Sequence, residues 1–146
     1  MEKITRILDK KQHHFLTIGP NATAANALNK MCCENVEYLV VMDDHNEHYV
    51  GLISEHDITS RVVFANKLLA KTNVTDVMNN RLPVATADDT VEKCMQMMRR
   101  HHVRYLPVFE NFHFKGIVSS EDILDEAVYN RQEIFDTSID SPFALG

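Results

Sequence analysis

The sequence predicts an α+β fold made of two copies of one β-α-β-β-α unit. Three observations predict it. First, Gly51-Leu52-Ile53-Ser54-Glu55-His56-Asp57-Ile58 recurs sixty-five positions later as Gly116-Ile117-Val118-Ser119-Ser120-Glu121-Asp122-Ile123. Second, Thr23, Ala24, Ala27, Leu28 and Met31 recur sixty-seven positions later as Thr90, Val91, Cys94, Met95 and Met98, and Leu39 and Val41 recur as Leu106 and Val108. The offset falls from sixty-seven to sixty-five because the second hairpin loop is two residues shorter. Third, Glu37-Tyr38-Leu39-Val40-Val41-Met42 is an almost unbroken apolar run, the pattern of a strand buried on both faces. One such unit has too small a sheet to bury by itself. The two are therefore expected to pack sheet against sheet about a pseudo-twofold axis.

The elements follow in order. Ile4, Ile7 and Leu8 have helical spacing over residues 1–12. Phe15 to Ile18 is a short strand, stopped by Gly19-Pro20-Asn21. Thr23 precedes a helix whose apolar face is Ala24, Ala27, Leu28 and Met31. After the 37–42 strand, Asp43-Asp44-His45-Asn46 turns the chain and Tyr49 to Ile53 returns. A helix is expected over residues 55–69, carrying Ile58, Val62, Val63, Leu68 and Leu69. Residues 70–73 connect to a short turn at Val74 to Met78 and a strand around Leu82 to Thr86. Thr90 opens a helix with Val91, Cys94, Met95 and Met98 on one face. Strands at Val103 to Phe109 and Phe112 to Val118 lead to a closing helix, Ile123 to Ile134. The expected division is 1–69 for the first unit, with the N-terminal helix, and 70–136 for the second. Residues 137–146 have no periodicity and are expected to be loosely ordered.

Composition narrows the function. The chain has 146 residues, 45% hydrophobic and 25% charged, enough for one compact module with a core. A net charge of −6 repels a phosphate backbone, which argues against nucleic acid as a partner. No apolar run reaches the roughly 20 residues that span a bilayer, and Met1-Glu2-Lys3-Ile4-Thr5 is not a signal sequence, so a cytoplasmic protein is expected. Cys32, Cys33 and Cys94 lack a C-x-x-C spacing and fall on helical patterns, where they read as buried reduced thiols. The seven methionines read as core filling. His13-His14 and His101-His102 are adjacent pairs whose side chains diverge, so no metal site is expected. No nucleophile–base pair, paired carboxylate or phosphate-cradling glycine loop is present, and the chain reads as non-enzymatic.

The repeated Gly…Ser…Asp pattern (Gly51, Ser54, Asp57; Gly116, Ser119, Asp122) resembles that of the CBS domain, named for cystathionine β-synthase. So do Val103-Arg104-Tyr105-Leu106-Pro107-Val108, Val74-Thr75-Asp76-Val77-Met78 and Asp88-Asp89-Thr90-Val91. The likeness covers residues 4–134, and the whole resembles a stand-alone tandem pair, a Bateman module. The resemblance implies regulation rather than catalysis, with no required cofactor. It also implies binding of an adenosine-containing ligand (AMP, ADP, ATP or S-adenosylmethionine) between sheets, and a disc-shaped homodimer. The effector protein is not implied.

Residue by residue, the resemblance implies a main cleft with Ser119, Asp122, Arg104 and Ile117, and with Thr17 and Ile18 beside the base. An aspartate accepts two hydrogen bonds from a ribose diol, a serine at a helix start holds a phosphate oxygen, and an arginine offers a cationic fork. The second cleft would have Ser54, Asp57 and Val84. There the register puts Glu37 where the main cleft has Arg104, so this cleft is expected to be weak or empty. Many family members carry a basic residue just before the aspartate; here His56 and Glu121 stand there, which favours AMP or an adenosine-type ligand over ATP. The same residues admit a plainer reading. Ser54 and Ser119 are N-caps, and Asp57 and Asp122 sit in first turns, where each stabilises a helix by about 0.3–1 kcal/mol. Arg99, Arg100, His101, His102 and Arg104 complement a helix end or meet a phosphate or a dimer partner. The alternative function is a ligand-free scaffolding dimer acting through helical faces.

Overall fold

A computed structural model describes residues 2–12, 14–43, 45 and 47–137. The expected loose tail lies, from residue 138 on, outside the described residues, as do His13, Asp44 and Asn46. The helices are α1 (Thr5–Lys10), α2 (Ala24–Glu34), α3 (Glu55–Ile58), α4 (Val91–His101) and α5 (Ser120–Thr137). The strands are β1 (Thr17–Ile18), β2 (Tyr38–Asp43), β3 (His48–Ser54), β4 (Ala85–Thr86), β5 (Tyr105–Glu110) and β6 (His113–Ser119). The chain divides into two compact units: His14–Leu82, and residues 1–13 together with residue 83 onward.

The expected duplication is visible in backbone detail. Each unit has a three-stranded sheet, ordered β1-β2-β3 and β4-β5-β6. In each, the short first strand is parallel to the second, and the second is antiparallel to the third. Thr17 faces Val40, and Ala85 faces Val108. A bulge falls between Val41 and Met42 and again between Val108 and Phe109, the same place in both copies. The preceding helices repeat too. Thr23 accepts from the Asn26 amide at 3.1 Å and Thr90 from the Lys93 amide at 3.2 Å, satisfying N–H groups that a helix start leaves unpaired. Both helices stop at a left-handed residue, Asn35 and His102, each with φ of 54°.

The 14–82 core is built from Ala24, Ala27 and Met31 of α2, Leu39, Val41 and Ile53 of the sheet, Ile58, Val62, Val74 and Val77. The other core joins Cys94 and Met98 of α4 to Leu106, Val108 and Val118, Ile123 of α5, and Ile4, Ile7 and Leu8 of α1. Thus α1, grouped by sequence with the first repeat, packs with β6 and α5. The reason lies in a third register, an offset of seventy. Ile4, Ile7 and Leu8 do for this unit what Val74, Val77 and Met78 do for the other. The backbone agrees: the Ile4 amide donates to Asp89 O (3.0 Å) and Val91 to Glu2 O (2.9 Å), as Val74 donates to Ala22 O (2.8 Å) and Ala24 to Thr72 O (2.8 Å). Each repeat therefore lends its leading segment to the sheet of the other.

The two glycines of the repeat serve this exchange. A Cβ on Gly51 would lie 3.0 Å from Asn79 O and 3.1 Å from Met78 Sδ, and one on Gly116, at φ of 148°, would lie 3.2 Å from Leu8 Cδ2.

Three expectations are corrected. The helix expected over residues 55–69 is α-helical only to Ile58, widens to a π-helical turn over Thr59–Val63, and gives way at Asn66, with φ of 58°. Thr59 Oγ1 and Ser60 Oγ donate to the carbonyls of Glu55 and His56 at 2.9 Å, competing with the α-helical ladder. Val63 and Leu68 are consequently exposed. Cys32 and Cys33 are exposed rather than buried, because Ala24, Ala27 and Met31 occupy the inward face of α2; Cys94 is buried. Met95 leaves the core face of α4 and is also exposed.

Candidate functional site

The two Ser-x-x-Asp segments form the same local structure. At Ser54 the backbone amide and Oγ both donate to Asp57 Oδ2, at 3.0 and 2.9 Å, and the Asp57 amide donates back to Ser54 Oγ at 3.1 Å. At Ser119 the amide donates to Asp122 Oδ2 at 2.9 Å, and the Asp122 amide returns to Ser119 Oγ at 3.0 Å. Each is a capping box with aspartate as its acidic member. The plainer reading of these residues is therefore realised in both copies: strand ends at serine, helix begins, and the aspartate is held in place. A carboxylate offers about four lone-pair sites, so a box does not exhaust it.

The surroundings differ. Asp57 is 8% exposed, and among the described residues it has no ion-pair partner. The Asp122 side chain is 20% exposed and takes the Lys11 ammonium on Oδ2 at 2.8 Å. Lys11 Nζ also donates to Ile117 O at 3.0 Å. Lys11 stands at the C-terminal end of α1, carried there because Ile4, Ile7 and Leu8 are buried under it. Nearby, Glu126 is buried and meets Lys10 Nζ at 2.6 Å and Arg6 Nε at 3.5 Å. Lys10 also lies 4.0 Å above the Tyr129 ring. Ile7, Lys10, Lys11, Asp122, Asp125, Glu126 and Tyr129 line an open pocket of about 400 Å³.

The other expected residues are placed as follows. Arg104 and Glu37 are equivalent by backbone bonding: Arg104 O accepts from Ser120 at 2.9 Å and Glu37 O from Glu55 at 3.0 Å. Arg104 lines an apolar groove between α4 and α5, whereas Asp122 lines the pocket against α1. Thr17 and Ile18 form β1 in the 14–82 unit, where Thr17 O accepts from Lys30 Nζ. Val84 is exposed just before β4, and Ile117 is buried in β6 with its carbonyl on Lys11. Sequence reasoning missed Lys11, Glu126 and Tyr129. The signal that would have found Lys11 is the offset of seventy, which carries the N-terminal helix to β6.

The groove measures about 1090 Å³, and its lining includes Val91, Met95, Leu124, Arg99 and Glu121. Met95 and Leu124 are 39% and 63% exposed. Beside it, burial pushes the Cys94 thiol up to about 11, with the Asp89 charge adding to the effect. Burial alone would raise the Asp89 carboxyl, yet the Thr86 amide (2.8 Å) and Lys93 ammonium (3.0 Å) hold it below its ordinary value. Among the described residues no cluster of His, Cys, Asp and Glu is arranged to hold a metal ion, and no helix is long and apolar enough to cross a membrane.

The CBS domain profile matches twice, at residues 9–63 and 74–129. A CBS domain-containing protein of Arabidopsis thaliana, CBSX3, described as mitochondrial, is 28% identical over 114 residues, 76% of this chain and 55% of that protein. YlbB of Bacillus subtilis (strain 168) is 30% identical over 95 residues, 64% of this chain and 63% of that protein. The chain thus spans somewhat over half the length of these relatives. The crystal structure of the CBS domain protein NE2398 superposes with a TM-score of 0.80 at 30% identity, covering 88% of this chain and 99% of that one.

Proposed function

The chain belongs to the CBS domain family, whose paired domains are regulatory, ligand-binding modules, and from that premise we propose that it senses an adenosine-containing ligand. The ligand class is AMP, ADP, ATP or S-adenosylmethionine. The observation that carries the reading is the contrast between two equivalent boxes: Asp122 lines a pocket of about 400 Å³ and is paired with Lys11, whereas Asp57 is buried and, among the described residues, has no ion-pair partner. In this reading Asp122 receives the ribose hydroxyls, Ser119 and the first amides of α5 face a phosphate, and the ligand requires no further cofactor. Ligand binding shifts a conformational equilibrium that an effector protein reads, with a coupling of about 1–3 kcal/mol. The module works in the cytoplasm, without catalysis.

The same module pairs with a second copy through the α4–α5 groove. Met95 and Leu124 expose apolar surface there, Arg99 supplies positive charge and Glu121 negative charge, so a twofold-related copy meets like apolar surface and opposite charge. This face would also serve the ligand-free scaffolding alternative.

Thermal denaturation in the presence of AMP, ADP, ATP and S-adenosylmethionine tests the reading. A ligand at about 100 times its Kd adds roughly 2.7 kcal/mol, several degrees for a chain of this size. Because Asp122 also caps α5, the variant is Asp122→Asn, and the quantity compared is the ligand-induced shift rather than the Tm itself. The expected result is a shift in the wild type that disappears in Asp122→Asn. The absence of a shift with every ligand transfers the conclusion to the scaffold.

A further inference from the structure

We infer that Lys11 is a specificity-determining residue, which makes the Asp122 pocket select a phosphorylated ligand over a neutral or cationic one. The inference rests on the reading of that pocket as an adenosine-ligand site and goes beyond it. Its starting point is charge. The first two turns of α5 carry Glu121, Asp122, Asp125 and Glu126, four carboxylates within six residues. Unopposed, such a field repels a phosphate and attracts a cation. Where the resemblance leads one to expect a basic residue, at the position before Asp122, this chain has Glu121. Opposition comes instead from the other end of the sequence. Arg6 and Lys10 meet Glu126, and Lys11 meets Asp122.

Of these cations, Lys11 is the one in direct contact with the box. Its ammonium bridges Asp122 Oδ2 (2.8 Å) and Ile117 O (3.0 Å), so it stands where β6 passes into α5. It is also fixed. The Lys11 amide donates to Ile7 O at 3.1 Å, and the helix beneath it buries Ile4, Ile7 and Leu8 almost completely. Releasing α1 would expose three aliphatic side chains, so Lys11 is a wall of the pocket rather than a latch that swings away. A lysine ammonium remains a compact positive charge while paired. It therefore sits beside any phosphate whose ribose is held at Asp122. The equivalent position in the other repeat, offset by seventy, is Arg81, and among the described residues Arg81 makes no ion pair with Asp57. The charge arrangement is thus particular to the Asp122 pocket.

The test is calorimetric titration of the full chain with AMP and with adenosine, in the wild type, Lys11→Gln and Lys11→Arg. Circular dichroism first establishes that each variant is folded. The expected result is that the wild type prefers AMP to adenosine by at least about tenfold. Lys11→Gln collapses that ratio toward one, and Lys11→Arg retains it. An unchanged ratio in Lys11→Gln overturns the inference and leaves the adenosine reading standing. So does a wild type that binds S-adenosylmethionine, whose sulfonium is a cation, in preference to AMP. A wild type that binds none of these, nor ADP or ATP, overturns both.

Discussion

Asp57 and Asp122 occupy the same position in the two repeats, cap the same turn, and differ in what lies over them. Sequence gave both residues two possible jobs, helix cap and ligand acceptor, and the capping job is visible in each. What separates them is Lys11, which no spacing around residue 122 reveals, because it is over a hundred positions away. The cysteines show the same limit. Helical periodicity placed all three on helices but did not distinguish the inward face of α2 from the outward one. Burial raises Cys94 to about 11, which suppresses the thiolate that reacts. Titration of the native protein with a thiol-specific disulfide reagent is therefore expected to label Cys32 and Cys33 rapidly and Cys94 only after denaturation. Rapid labelling of three thiols in the native state would contradict the core as described.

At the scale of elements, the strands and the two capped helices were legible because each is signalled twice. Thr23 and Thr90 stand at the two helix starts, and the apolar faces that follow share one offset. The segment after Ile58 was not legible. Its apolar residues keep helical spacing, but Thr59 and Ser60 bond back to the carbonyls behind them and the ladder widens. The second hairpin carries a strain of its own. Asn111 and Phe112 form a two-residue turn with φ of 50° and 65°, a form that favours Asn-Gly. Phe112 is fully exposed there and gains no packing for adopting a left-handed backbone. Phe112→Gly is expected to stabilise the protein by about 1 kcal/mol, seen as a higher denaturant midpoint with an unchanged slope. A loss of stability would show that the aromatic ring has a role in holding the hairpin.

For the whole molecule, the duplication was readable from residue offsets alone, and the exchange of leading segments was not. The repeat is conspicuous where sheet and helix recur. It is faint at Ile4, Ile7 and Leu8 against Val74, Val77 and Met78, where only apolar character and spacing are kept. That exchange makes the Asp122 pocket from both ends of the chain and leaves the Asp57 box without an ion-pair partner among the described residues. The central claim, one adenosine-ligand site per chain at Asp122, is tested most directly by calorimetric titration of AMP into the wild type, Asp122→Asn and Asp57→Asn. About one equivalent is expected to bind to the wild type and to Asp57→Asn, with at least a tenfold loss of affinity, about 1.4 kcal/mol, in Asp122→Asn alone. Equal loss in the two variants, or a wild type that binds neither AMP nor ADP, ATP or S-adenosylmethionine, would contradict it.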